Sequence, residues 1–217
     1  MTRRRLWLRL VVTMVAVSAV VAGVAWLRLT VLPFRGLDPS PALAVVRQLE
    51  VNGNLRTADR RVLYDEIVGH GYKRGLELGT GEGCGTLWMA MALRKTGGSL
   101  VTIEIDPATA ERARQNVRHA QMDDIVEQRV ADAVEEAPRV PGELDFVFMD
   151  VAVPLNKKLL DLVRERIRPG GAVLAHNAES FRWTQPDFLE AITHDPQLET
   201  SFEGLIFRVS ITVKREP

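Results

Sequence analysis

Between residues 76 and 106 the chain spaces glycines and acids as a bound nucleotide would require. The first run is Leu76-Glu77-Leu78-Gly79-Thr80-Gly81-Glu82-Gly83-Cys84-Gly85, and the second is Val101-Thr102-Ile103-Glu104-Ile105-Asp106. An apolar strand empties into a glycine-rich turn, a helix follows, and a second strand ends on an acid. Such a turn lets backbone N–H groups approach a ligand, and the acid after the second strand takes ribose hydroxyls. The spacing argues against a dinucleotide and hence against an NAD(P) oxidoreductase. A G-x-G-x-x-G fingerprint counted from Gly79 meets Cys84 at its third glycine, and counted from Gly81 it meets Thr86. The competing reading is a glycine-rich turn that holds nothing, and Glu104 weighs against it.

The remaining composition excludes more than it proposes. Lys and Arg together number 28, as do Asp and Glu, so nothing advertises nucleic acid or another polyanion as partner. Cys84 stands alone, which rules out an intrachain disulfide. His70, His119, His176 and His194 are scattered without zinc spacing.

The elements that must carry these residues alternate. Strands are expected at Arg74–Leu78, Leu100–Ile105, Ile125–Val130, Leu144–Met149 and Ala172–Ala175. Helices are expected over Ala42–Val51, from Thr57 to near Val68, from near Thr86 to Gly97, from Pro107 to near Gln121, over Asn156–Ile167 and over Gln185–Thr193. Pro169-Gly170-Gly171 reads as a stop between helix and strand. Glu199–Phe202 and Leu205–Val213 read as a closing antiparallel hairpin. The alternation predicts a doubly wound, mostly parallel seven-stranded α/β sheet with that hairpin at its carboxyl end.

Ahead of this body, Arg3, Arg4, Arg5 and Arg9 precede an uncharged run, Leu10 to Leu27, with Trp7 and Trp26 near its ends. The run is about 27 Å long as a helix, near the ~30 Å of a bilayer core. It is expected to be a single-pass membrane anchor (residues 1–32), followed by a proline-rich linker (33–41) and one domain (42–217). A cleaved signal peptide competes, since Ala22 and Ala25 are small residues near the end of the run. The arginine count favours a cytoplasmic amino terminus.

Taken together, the motifs resemble the class I S-adenosylmethionine (SAM)-dependent O-methyltransferases, in particular the small metal-dependent group that includes catechol O-methyltransferase. The resemblance rests on the E-x-G-x-G-x-G form of Glu77 to Gly85 and on Asn54-Leu55, Thr102-Ile103-Glu104-Ile105-Asp106-Pro107 and Ala131-Asp132-Ala133. Phe146-Val147-Phe148-Met149-Asp150, Arg168-Pro169-Gly170-Gly171 and Ala175-His176-Asn177 continue it in order. It implies that Glu77, Gly79, Thr80, Gly83 and Gly85 hold the methionine half of SAM, with Leu55 packed nearby. Glu104 would take the ribose hydroxyls, and Asp132 with Ala133 would border the adenine. Asp150, His176 and Asn177 would ligate a divalent metal, with Asp150 and His176 serving catalysis and Asp150 also adjoining the cofactor.

That chemistry suits the residue types. A sulfonium makes its methyl group electrophilic, so the protein must mainly bring an oxygen nucleophile into line with it. A metal lowers the pKa of a substrate hydroxyl. Three departures from the family stand out. Val153 occupies the place of a lysine three residues after Asp150. His176 replaces an acid, which disfavours Mg²⁺ relative to Mn²⁺, Fe²⁺ or Zn²⁺ and offers an imidazole base. Cys84-Gly85 replaces an aromatic residue and a serine. Because the charge difference across the amino-terminal run is small and SAM is cytosolic, the body is expected on the cytoplasmic face. The expected activity is methyl transfer to a hydroxyl of a small, lipophilic or phenolic acceptor, with a homodimer as the candidate assembly. The alternative is a non-catalytic SAM-binding or scaffolding protein on the same fold.

Overall fold

The computed structural model describes residues 3–27, 31–51, 57–178, 182–204 and 208–216. The chain separates into two compact units, Met1–Leu37 and Asp38–Pro217. In the first, helix α1 spans Arg3–Trp26, and a 3₁₀ turn covers Leu32–Phe34. Along α1 the side chains of Met14, Val17, Val20, Val21 and Val24 are exposed. No helix among the described residues is long and apolar enough to cross a membrane, so the expected spanning segment is not supported.

The second unit is the expected α/β body. Its strands are β1 (Arg74–Leu78), β2 (Ser99–Glu104), β3 (Val126–Val130), β4 (Leu144–Met149), β5 (Ile167–His176), β6 (Leu198–Glu203) and β7 (Val209–Lys214). They form one seven-stranded sheet in the order β3-β2-β1-β4-β5-β7-β6. The first five are parallel, and β7 runs antiparallel to both β5 and β6. The helices are α2 (Pro41–Val51), α3 (Thr57–His70), α4 (Cys84–Thr96), α5 (Pro107–His119), α6 (Ala133–Glu136), α7 (Asn156–Val163) and α8 (Pro186–Thr193).

The two sheet faces follow from strand periodicity. Leu76, Leu78, Ile103, Val147, Met149, Val173 and Ala175 join Leu159, Leu160, Val163, Phe188 and Ile192 of α7 and α8 in one core. The alternate residues Glu77, Thr102 and Phe148 lie side by side in register on the opposite face. A strand covered on both faces reads as a continuous apolar run, which is why β4 stands where the sequence places it.

One boundary differs in kind. The strand expected to begin at Ala172 begins at Ile167, so Pro169-Gly170-Gly171 lies inside β5 instead of ending the helix before it. Leu144 pairs with Ile167, but Phe146 pairs with Ala172, so three extra residues are extruded as a bulge. Gly170 takes φ +74° there, and Tyr72 Oη donates to its carbonyl at 3.0 Å. The helix before it is correspondingly shorter, ending at Val163 with a 3₁₀ turn over Arg164–Arg166.

Candidate active site

Register puts the candidate residues on one rim. Leu78 is level with Ile103 on one side and with Met149 on the other, and Met149 is level with Ala175. The next residue of each strand therefore aligns Glu104, Gly79, Asp150 and His176 across four neighbouring strands at their carboxyl ends. This is where an open parallel sheet binds ligands.

The glycine turn is held by its neighbours. Gly79 N–H donates to Ile103 O and Asp150 N–H to Leu78 O, both at 2.9 Å. Gly79 has φ +94°, and a Cβ there would collide with the Asp150 carbonyl oxygen. Gly79→Ala should therefore destabilise the chain by about 3 kcal/mol, a Tm loss of roughly 6–12 °C in a thermal melt. An unchanged Tm would mean that the turn is not seated against β4. Gly81 N–H donates to Glu104 Oε2 at 2.9 Å, and Asp106 N–H donates to Oε1 at 3.1 Å. Glu104 is thus anchored by backbone while keeping lone pairs for a ligand. Gly83 is buried and caps α4 with φ +86°.

Glu77 is buried on the α4 face and accepts from Thr86 Oγ1 at 2.6 Å and from Thr102 Oγ1 at 2.7 Å. Thr80 Oγ1 bonds Thr102 Oγ1 in the same chain of hydroxyls. Burial outweighs these donors and pushes the Glu77 carboxyl up to about 8. The folded chain then keeps a proton that the unfolded chain releases near 4.5, so stability falls as pH rises between those values. Melts of ligand-free protein from about pH 5 to 8 should show a falling Tm, and Glu77→Gln should flatten the slope.

A cleft of about 310 Å³ opens beside the turn, walled by Arg60, Glu77, Gly79, Thr80, Gly85 and Asp150 among others. That volume lies in the range of small-molecule and cofactor sites. Arg60 and its partner Glu50 were not expected from the sequence. Glu50 Oε1 accepts from Arg60 Nη1 at 3.0 Å, Cys84 Sγ at 3.3 Å and Trp88 Nε1 at 3.4 Å, and Oε2 accepts from Thr57 Oγ1 at 2.6 Å. Burial works against the Arg60 charge, but Cys84, Glu50 and Asp150 around it hold its pKa above the ordinary value. The Cys84 thiol is pushed up by burial, which makes it a packing residue and not a nucleophile.

Asp150, His176 and Asn177 do come together. His176 Nδ1 lies 3.1 Å from Asp150 Oδ1 and 3.0 Å from Asn177 Nδ2. Asp150 reaches the cleft, whereas His176 is 6% exposed and is not part of its wall. Two ligands of one metal at about 2.1 Å and a right angle stand about 3.0 Å apart, so the 3.1 Å between Asp150 Oδ1 and His176 Nδ1 admits a cation, whereas the Asn177 amide nitrogen is a donor and not a ligand. Asn177 Oδ1 is buried with no hydrogen-bond partner among the described residues, which also fits one. The described residues hold no group of three or more His, Cys, Asp or Glu placed for a metal. The donor set is one carboxylate, one imidazole and one amide, which suits a softer ion better than Mg²⁺.

Other expectations fall nearby. Ala131 N–H donates to Glu104 O at 3.0 Å, which brings Asp132 and Ala133 to the Glu104 end of the rim. Asp132 Oδ1 accepts from Val134 N–H at 2.8 Å and caps α6. Leu55 lies outside the described residues. Gln185 donates to Asn177 O at 3.3 Å and Ala178 O at 2.9 Å and accepts from Asn156 Nδ2 at 2.8 Å, which braces the turn after His176. No local pattern in the sequence marks that brace.

Residues 76–178 match the family profile of a methyltransferase domain. Over 109 residues the chain is 35% identical to a catechol O-methyltransferase of Niastella koreensis, covering 48% of this chain and 49% of that protein. Over 141 residues it is 29% identical to a catechol O-methyltransferase of Mycobacterium tuberculosis, covering 59% and 64% respectively. It thus spans about half to two thirds of the length of these relatives. Among solved structures, the O-methyltransferase from Bacillus cereus in complex with SAH superposes with a TM-score of 0.70 at 23% identity, covering 83% of this chain and 94% of that one. The O-methyltransferase TomG from Streptomyces achromogenes, in complex with SAM, gives 0.70 at 22% identity, covering 84% and 93%. The chain carries the fold seen in these two O-methyltransferase structures, and its residues 76–178 match the profile of a methyltransferase domain.

Proposed function

We propose that the protein is a SAM-dependent O-methyltransferase acting on a small hydroxylated, phenolic or lipophilic acceptor. The observation that carries this reading is the shared cleft: Asp150 lines the same cavity as Glu77, Gly79, Thr80 and Gly85. A donor seated on the glycine turn therefore presents its methyl group on the side of the cleft where the Asp150 carboxylate can receive a proton from an acceptor. Glu104 takes the ribose hydroxyls, and Glu77 faces the amino-acid end. In the transfer, the acceptor oxygen attacks the sulfonium methyl, the carbon–sulfur bond breaks, and the hydroxyl proton passes to Asp150. His176 sits behind Asp150 and aims it, as a buried partner orients a catalytic group. A divalent cation held by Asp150, His176 and Asn177 would acidify the acceptor hydroxyl. Relatives named catechol O-methyltransferase support the phenolic class.

Transfer of labelled methyl from SAM to a panel of phenols, catechols and quinols, with chelator or with Mn²⁺ or Mg²⁺, tests the reading. Labelled ether product that requires Asp150 is expected. SAM binding without transfer under any condition would instead favour the non-catalytic alternative, which rests on Val153 where the resembling family has lysine.

The exposed valines of α1 motivate a further element of this reading, attachment to a lipid surface with the body on the cytoplasmic side. The full chain should float with liposomes and a chain from residue 38 should not; equal behaviour of the two would remove the attachment.

A further inference from the structure

We propose that Arg60 is the receptor for the carboxylate at the amino-acid end of the donor, an assignment that rests on the cofactor reading above. Arg60 stands in the first turn of α3 and forms part of the cleft wall with Glu77, Gly79, Gly85 and Asp150. Its side chain is 11% exposed, and that of Glu50 is 6% exposed. Among the described residues the guanidinium gives one hydrogen bond, Nη1 to Glu50 Oε1 at 3.0 Å, out of five N–H groups. A charge so little hydrated needs partners for the rest, and a carboxylate is the anion whose geometry a guanidinium matches.

The surroundings narrow the ligand to a zwitterion. Asp150, Glu82 and the carboxyl of Glu77 wall the same cleft, so an anion alone would meet three carboxyl groups with one cation among the described residues. An α-amino acid end group resolves this, since its ammonium faces the acids while its carboxylate meets Arg60. Position 85 cannot serve instead, because glycine brings no hydroxyl. A Cβ there would stand 3.1 Å from Glu77 Oε1, so the Glu77 carboxylate already crowds that space. Glu50 acts as a positioning residue. Its four donors, from α3 and α4, fix the carboxylate that holds the guanidinium at the cleft.

The test is calorimetric titration of the full chain with SAM and with decarboxylated SAM, which differ in that carboxylate alone. Unaltered protein should prefer SAM by about 30- to 100-fold, the worth of a buried charge-assisted pair. Arg60→Met should erase the preference by weakening SAM while leaving decarboxylated SAM within about threefold. Arg60→Lys, which keeps the charge without the fork, should reduce the preference without abolishing it, and it serves alone if Arg60→Met fails to fold. A merely structural Arg60 would weaken both ligands alike, and that result overturns the assignment. So does a preference that survives both substitutions, or none in the unaltered protein when both ligands bind. If the unaltered protein binds neither ligand, the cofactor reading itself fails, which separates the two outcomes.

Discussion

Glu104→Ala should weaken SAM or SAH binding by at least about 100-fold, the loss of two charge-assisted hydrogen bonds to a ribose diol. Calorimetric titration of the folded variant measures it. The carboxylate ends β2, and its two oxygens already accept from Gly81 and Asp106 N–H. Those bonds hold it in a fixed pose, so a diol meets acceptors that need no further ordering. The residue is half-exposed, so its removal should cost little stability. Glu104→Gln keeps the shape but can accept through one atom and not two, and it should fall between the variant and the unaltered protein. Equal affinity in all three would mean that the nucleoside does not lie against β2 and would remove the ribose assignment.

Asp150→Asn should lower kcat by about 10²- to 10³-fold in assays saturated with SAM. The substitution keeps the Asp150 N–H bond to Leu78 O, which is backbone, so the turn stays in place. It removes the acceptor for the proton and any charge toward a cation. His176→Gln should cost about tenfold, because the imidazole acts through Asp150 from a buried position and does not touch the acceptor. Single-turnover assays with saturating SAM, run beside binding measurements, separate the two effects. A His176 loss as large as that of Asp150 would move the proton acceptor to the imidazole. Adding Mn²⁺ should raise the Tm of the unaltered protein and not that of Asp150→Asn if the cluster holds a cation.

Much of the scaffold was legible because burial on both faces writes itself into a strand. Leu144–Met149 lies between helix layers and appears as a largely apolar run, and Arg74–Leu78 is marked by the glycine turn it leads into, both with the boundaries the sequence assigns them. Helix ends with local chemistry were equally plain: Pro107 begins α5 behind the Asp106 cap, and Gly97 ends α4 in the left-handed conformation. Pro169-Gly170-Gly171 misled, because the same residues that break a helix also form a bulge, and only the partner strand selects between them. The amino-terminal run is a different case. Its apolar composition is a local property, and no helix among the described residues is long and apolar enough to cross a membrane.

For the site, the sequence alone determined the glycine turn, the acid after β2, and a resemblance carried by the order of the motifs. Those signals are local, since a left-handed glycine and an acid at a strand end must appear at set places in one segment. What only the tertiary structure decided is which distant residues meet. Asp150 and His176 are twenty-six positions apart and touch because β4 and β5 pair with Met149 level with Ala175. Glu50 and Arg60 sit on two helices whose periodicity shows a buried face but not a charge pair at its edge. Register and helix packing are set by the summed burial of the whole core, and no segment carries that sum by itself.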